Sequence, residues 1–199
     1  MKNFTYRTCH FNEMEAVTDL FFASREELCL PDRTAAEKIT NLIFTKGQVT
    51  GGFFENKLLG ALGYFLGEPK RDFKNREVLY LYVGAILPGY RLTRLFHHGL
   101  LFTLQRYQGT DVTHLRLQAE KANPYTNKLY GRFAQPIAEE KSPRGVPVIT
   151  YGGSIEDAIA YLSRGKRPKP KPQTPQQYYV EHRIRPCVQP HNLSLLISN

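Results

Sequence analysis

Short apolar stretches alternate along the chain with segments of helical spacing. Phe4 to His10 reads as a strand. Asn12 precedes Glu15 by three positions, the spacing of a capping box, and predicts a helix from there to about Cys29. Pro31-Asp32 breaks it. Thr34 and Glu37 repeat the signature and open a second helix to about Lys46, with Gly47 as its stop. Gln48 to Glu55 and Leu58 to Leu66 are apolar strands around a tight Asn56-Lys57 turn. Glu68 to Arg76 is a charged loop. Glu77 to Leu87 is a long apolar run, a strand buried on both faces.

Pro88-Gly89 ends that strand. Leu92 to Gln108 has helical spacing and stops at Gly109. His114 to Glu120 is the next strand, Pro124 to Phe133 a short helix, and Gln135 to Glu140 and Val146 to Gly152 are two further strands around a Ser142–Gly145 turn. Glu156 to Arg164 is a last helix. Strands alternating with helices predict an α/β (α+β) fold, its sheet covered on both faces.

The periodic pattern stops near residue 165. Residues 166–175, Lys-Arg-Pro-Lys-Pro-Lys-Pro-Gln-Thr-Pro, admit neither a helix nor a central strand. The boundary therefore falls there: a domain over 1–165 and a basic, proline-rich linker and tail over 166–199. The tail carries Lys166, Arg167, Lys169, Lys171, Arg183 and Arg185 against Glu181, roughly half of the chain's excess positive charge. Tyr178 to Ile184 is β-prone and suits docking as an edge strand.

Composition narrows the class. The 199 residues are 41% hydrophobic, enough for a core, and no apolar run is long enough to cross a membrane. The first residues lack the apolar stretch of a secretory signal. Lys and Arg number 27 against 18 Asp and Glu, a net charge of +9. That balance favours anionic partners: nucleic acid, a phosphorylated cosubstrate or an acidic protein. Three cysteines without C-x-x-C spacing argue against a disulfide scaffold and fit a cytoplasmic location. Cys9 and Cys29 read as small apolar fillers. Neighbouring His97 and His98 point about 100° apart on a helix, so they do not share a metal, and no metal site is expected.

Two segments carry a family resemblance. Leu87-Pro88-Gly89-Tyr90-Arg91 joins a buried strand to a helix. Asn123-Pro124-Tyr125-Thr126-Asn127-Lys128-Leu129-Tyr130-Gly131-Arg132-Phe133 follows the next strand. With the element order over residues 4–152, they resemble the GNAT superfamily of N-acyltransferases as a divergent member. The resemblance implies a mixed sheet of six to seven strands with helices on both faces. It implies an acyl group moved from acetyl-CoA or a longer acyl-CoA, or from an acyl carrier protein, to an amine. The acceptor would be a small molecule, a peptide or an aminoacyl-tRNA.

The resemblance also assigns roles. The helix start after Arg91 would hold the phosphates, with Arg91, Leu92, Thr93 and Arg94 lining it; unpaired N–H groups and guanidinium groups suit that anion. Backbone N–H groups around Ala85 and Ile86 would polarise the thioester carbonyl if the strands splay there. Gly84 beside them fits a bulge or a close backbone approach. Asn123 would touch the pantetheine arm or cap the helix. Tyr130 would protonate the departing thiolate. Two positions depart from the family pattern. Arg94 and Phe96 stand where the phosphate loop has glycines, and Val83 stands where an acidic base is common. Glu77 and Glu120, with Glu55, are the substitute carboxylates. Tyr80 and Tyr82 share one strand face and suit either the acceptor slot or core packing.

Two other readings compete. A catalytically degenerate GNAT-like fold would serve as a structural or assembly protein, for example in a phage virion, with the tail docked on a neighbour. A nucleic-acid binder would use the basic tail, but no helix-turn-helix, RRM or zinc-finger pattern accompanies it.

Overall fold

A computed structural model describes residues 4–91, 93–142 and 144–164. The expected tail, 166–199, lies outside the described residues. The elements are β1 (Thr5–Thr8), α1 (Met14–Ala23), α2 (Arg25–Leu28), α3 (Arg33–Lys46), β2 (Gln48–Phe54), β3 (Lys57–Leu66), β4 (Val78–Ile86), α4 (Leu95–Gln105), β5 (His114–Glu120), α5 (Pro124–Tyr130), β6 (Gln135–Lys141), β7 (Pro147–Ser154) and α6 (Ile155–Ser163). The seven strands form one mixed sheet in the order β1-β2-β3-β4-β5-β7-β6.

Strand alternation sends side chains to two cores. Ala61 and Phe65 of β3 and Ala85 of β4 pack with Val17, Leu20 and Phe21 of α1 and Ala36 and Ile43 of α3. Leu62 and Tyr64 of β3, Leu79 and Leu81 of β4, and Leu115 and Leu117 of β5 meet Leu100 and Leu104 of α4 and Ile155 and Ile159 of α6 on the opposite face. Both faces of the sheet are thus covered, the arrangement that the sequence pattern and the resemblance predict.

The local signals differ in several places. The first helix breaks at Ser24, whose N–H shares the Leu20 and Phe21 carbonyls. The Asn12–Glu15 box is not made. Glu13 instead accepts the His10 N–H at 2.9 Å and pairs with Arg7 at 2.6 Å, tying β1 to the turn that precedes α1. Asp32, two positions before the expected start, caps α3 by accepting the Ala35 N–H at 2.8 Å. The β2–β3 turn falls on Glu55 and Asn56, both left-handed at φ 48° and 63°, one residue earlier than expected.

Gly47 closes α3 at φ −138°, outside the left-handed region. Space explains the glycine: a Cβ there would stand 2.2 Å from the Tyr64 carbonyl oxygen. Gly52 and Gly60 make room in the same way for Leu95. Their Cβ positions would lie 3.0 and 2.9 Å from its methyl groups, so the first turn of α4 sits directly on β2 and β3.

Cys9 is buried and free, and burial pushes its thiol up to about 12, so it is the inert filler expected. Cys29 is disulfide-bonded, which corrects the same reading for that residue. Among the described residues no helix is long and apolar enough to cross a membrane. Among them, too, no group of three or more His, Cys, Asp or Glu side chains is placed to hold a metal ion. His97 instead donates to the Leu162 carbonyl at 2.7 Å and joins α4 to the end of α6.

Candidate functional site

The strands β4 and β5 run parallel and pair only from Val78–His114 to Leu81–Leu117. Beyond that point they part. Val83 to Ile86 stay paired with β3, and Gln118 to Glu120 with β7, so the two strands face each other across an opening. A bulge sets it off. Gly63 pairs with Val83 and Tyr64 with Leu81, leaving Tyr82 as the extra residue. A bulge bends its strand and breaks the ladder locally, which turns the end of β4 away from β5.

The backbone at the opening follows from the ladder. Leu87 donates its N–H to Leu59 at 2.8 Å, so Leu87 points at β3. Alternation along an antiparallel pair then sends Ala85 to β3 as well, and turns the N–H groups of Gly84 and Ile86 to the open edge. The expectation for Ala85 is corrected on this ground: Ile86 faces the opening, Ala85 does not, and Gly84 takes its place. Gly84 is exposed, and the Phe96 ring lies 3.7 Å from where its Cβ would be.

The turn after β4 is a short 3-10 helix, Pro88–Tyr90. Arg91 is drawn away from it, into an ion pair with Glu27 of α2, and its side chain is only 9% exposed. Leu92 lies outside the described residues. Thr93 uses its hydroxyl locally, donating to the Tyr90 carbonyl at 2.6 Å and accepting the Leu95 N–H at 3.2 Å. Arg94, partly buried, is the residue that enters α4.

At the end of β5, Asn123 caps α5 by accepting the Thr126 N–H at 3.1 Å. Tyr130, the last residue of α5, packs edge-on against Phe133 at 6.1 Å and Tyr151 at 5.9 Å. Burial pushes its phenol up to about 12, so it keeps its proton throughout the neutral range. Glu120 ends β5 and accepts from Arg144 of the β6–β7 turn at 2.8 Å. Tyr82 is close enough for Arg144 to counter part of the upward shift that burial gives its phenol. Tyr82, Glu120 and Arg144 therefore gather at the opening, on the face away from α4.

Glu77 is not part of this group. It is exposed before the first residue of β4, at the paired end of the strand. At about 3.3 Å per residue, five residues of extended chain separate it from the bulge at Tyr82, and this corrects its expected role. Glu55 is exposed on the β2–β3 turn.

Three residues at the site carried no sequence signal as candidates. Glu27 and Arg144 act through partners distant in sequence. Asn127 stands three positions before Tyr130. Its amide donates to the carbonyls of Glu120 at 2.9 Å and Asn123 at 2.7 Å, and its oxygen accepts the Tyr151 hydroxyl at 2.9 Å. A polar residue inside a short helix was the only hint.

No family model matches the chain, and no curated protein matches it in sequence. Solved structures do resemble it. A GNAT-family acetyltransferase from Bacillus cereus is similar at a TM-score of 0.58 and 11% identity, covering 76% of this chain and 97% of its own. A ribosomal L7/L12 α-N-protein acetyltransferase in complex with coenzyme A is similar at 0.61 and 13%, covering 79% and 97%. An agmatine N-acetyltransferase is similar at 0.57 and 13%, covering 76% and 99%. The chain has the GNAT fold.

Proposed function

We propose that this chain is a divergent N-acyltransferase that moves an acyl group from an acyl-CoA thioester to an amine. The opening between β4 and β5 carries this reading. It turns two backbone N–H donors to an open strand edge, the kind of group that polarises a thioester carbonyl, in a fold shared with solved acetyltransferases. The neighbour in complex with coenzyme A supports the donor class, and those named for a ribosomal protein and for agmatine support an amine acceptor.

The residues fit this use in most respects. When bound, an acyl thioester supplies an activated carbonyl and a sulfur leaving group. The N–H groups of Gly84 and Ile86 polarise the carbonyl. The start of α4 and Arg94 hold the phosphates, with Thr93 beside them. Arg91 holds the turn in place through Glu27. Tyr130 keeps its proton and gives it to the departing sulfur. Glu120, beside Arg144 at the opening, takes the proton of the attacking ammonium directly or through water.

A second reading has its own observation. Phe96 lies over Gly84, and Arg91 is spent on Glu27, as in a fold kept for assembly rather than catalysis. Thermal unfolding with CoA, acetyl-CoA and a long-chain acyl-CoA separates the two. A ligand at 100 times its dissociation constant stabilises the folded state by about 2.7 kcal/mol, a visible shift. A shift that weakens in R94A supports the enzyme. No shift with any of the three defeats it and leaves the assembly role.

A further inference from the structure

A helix as short as α5, Pro124–Tyr130, is not stable alone, so the place of its last residue is set by what pins it. Asn127 is that pin. An amide has two N–H donors, and its two shorter bonds go to the carbonyls of Glu120 at the end of β5 and Asn123 at the helix cap. A longer contact to Lys121 at 3.3 Å shares them. Its oxygen is taken by the hydroxyl of Tyr151, a buried residue of β7. The ring of Tyr151 in turn stands edge-on to the ring of Tyr130, at 5.9 Å and 77°. One side chain thus joins β5, α5 and β7, and its contact on β7 leads back to the residue at the end of its own helix.

We propose that Asn127 and Tyr151 are positioning residues. The bond between them fixes the Tyr151 ring, and that ring fixes the orientation of the Tyr130 phenol. The consequence for turnover rests on the acid role given to Tyr130 above; the positioning itself does not. Phenylalanine at 151 keeps the ring and removes only the hydroxyl, so Y151F releases the bond without emptying the core.

The test has two arms on the full chain. In the first, tyrosines are labelled with carbon-13 at the ζ carbon, and the Tyr130 signal is assigned by its loss in Y130F. Y151F moves the Tyr130 signal while the melting temperature falls by only about 3 °C, the share of one lost hydrogen bond. A Tyr130 signal that stays in place in Y151F overturns the proposal, whatever the activity. In the second arm, release of free CoA from acetyl-CoA is followed with agmatine and with a short peptide bearing a free N-terminus. Y151F lowers kcat roughly tenfold with KM for acetyl-CoA unchanged, as misplacement of a reacting group does. The double variant Y130F/Y151F is no slower than Y130F. Additive losses overturn the proposal, since Tyr151 would then act without Tyr130. A Tyr130 signal that moves in Y151F, together with a Y130F variant as fast as the parent, defeats the acid role and leaves the positioning standing.

Discussion

Arg91 and Glu27 meet as an ion pair that locks α2 onto the turn after β4, with the arginine side chain almost wholly covered. Removing one partner strands a charge in a poorly solvated place. R91A is expected to destabilise the fold by about 3 kcal/mol, the low end for breaking a buried pair. Urea unfolding of R91A and E27Q measures it. A stable R91A that has lost its response to CoA would instead make Arg91 a direct phosphate ligand.

Arg94 has the opposite expectation. R94A keeps its unfolding midpoint and loses most of the thermal shift produced by CoA. R94E loses all of it, because a carboxylate at a helix start repels phosphate. Equal shifts in the parent and R94E remove this residue from the phosphate site.

Tyr130 is half-buried, and the desolvation of its phenol raises its titration far above neutrality. A raised phenol keeps its acid form at every pH below its own value, so proton donation is intact up to pH 10. Y130F lowers kcat by roughly 10²-fold, within the range for loss of a general acid, with little change in KM. The pH profile of kcat from 7 to 10 shows no falling limb from this group. A fall there that Y130F abolishes contradicts the assignment.

Arg7 and the hydrogen bond from His10 lower the Glu13 carboxyl from its ordinary 4.5 to about 2. The folded state binds this proton less readily than the unfolded chain. Its contribution is therefore complete above pH 4.5 and lost as the pH falls toward 2. With the exposure of Arg7 allowed for, the pair is worth about 1 kcal/mol. E13Q is less stable than the parent by that amount at pH 7, and the two converge at pH 2. A gap that persists at pH 2 assigns the effect to packing.

At Gly47 a methyl group meets the main chain of β3 and the Phe65 ring at 2.6 Å. G47A is expected to cost about 2 kcal/mol as an overpacked site. A neutral G47A would mean that the end of α3 slides freely along β3.

What the sequence reveals and what it hides divide by distance along the chain. The strand His114–Glu120, the stop at Pro88-Gly89 and the Asn123 cap depend on neighbours a few residues away, and they are legible. So is the order of strands and helices that signals the GNAT fold. The break at Ser24 and the one-residue move of the β2–β3 turn are local too, but competing signals of equal strength surround them. Gly47 looks like a helix stop, yet the reason for it lies on β3. The remaining errors concern the site. The alternation that excludes Ala85 and admits Gly84 depends on the register with β3. Glu77 looks as good as Glu120 until the bulge places one at the wrong end of its strand. Arg91 reads as a phosphate ligand because Glu27 is invisible as its partner.

The limited pairing of β4 with β5 has a mechanical meaning as well. Among the described residues, the main-chain joint between the β1–β4 ladders and the β5–β7 unit is short: four registered positions, extended at one end by the Thr113 and His114 N–H groups on the Glu77 carbonyl. Each side has its own antiparallel ladders, and α4 and α6 brace the joint from one face only. The sheet is therefore a clasp with its hinge at the Val78 end and its jaws at Gly84 and Glu120. Loosening the hinge widens the jaws while each ladder stays closed. Amide exchange should register this as earlier opening at Val78–Leu81 and Leu115–Leu117 than within β3.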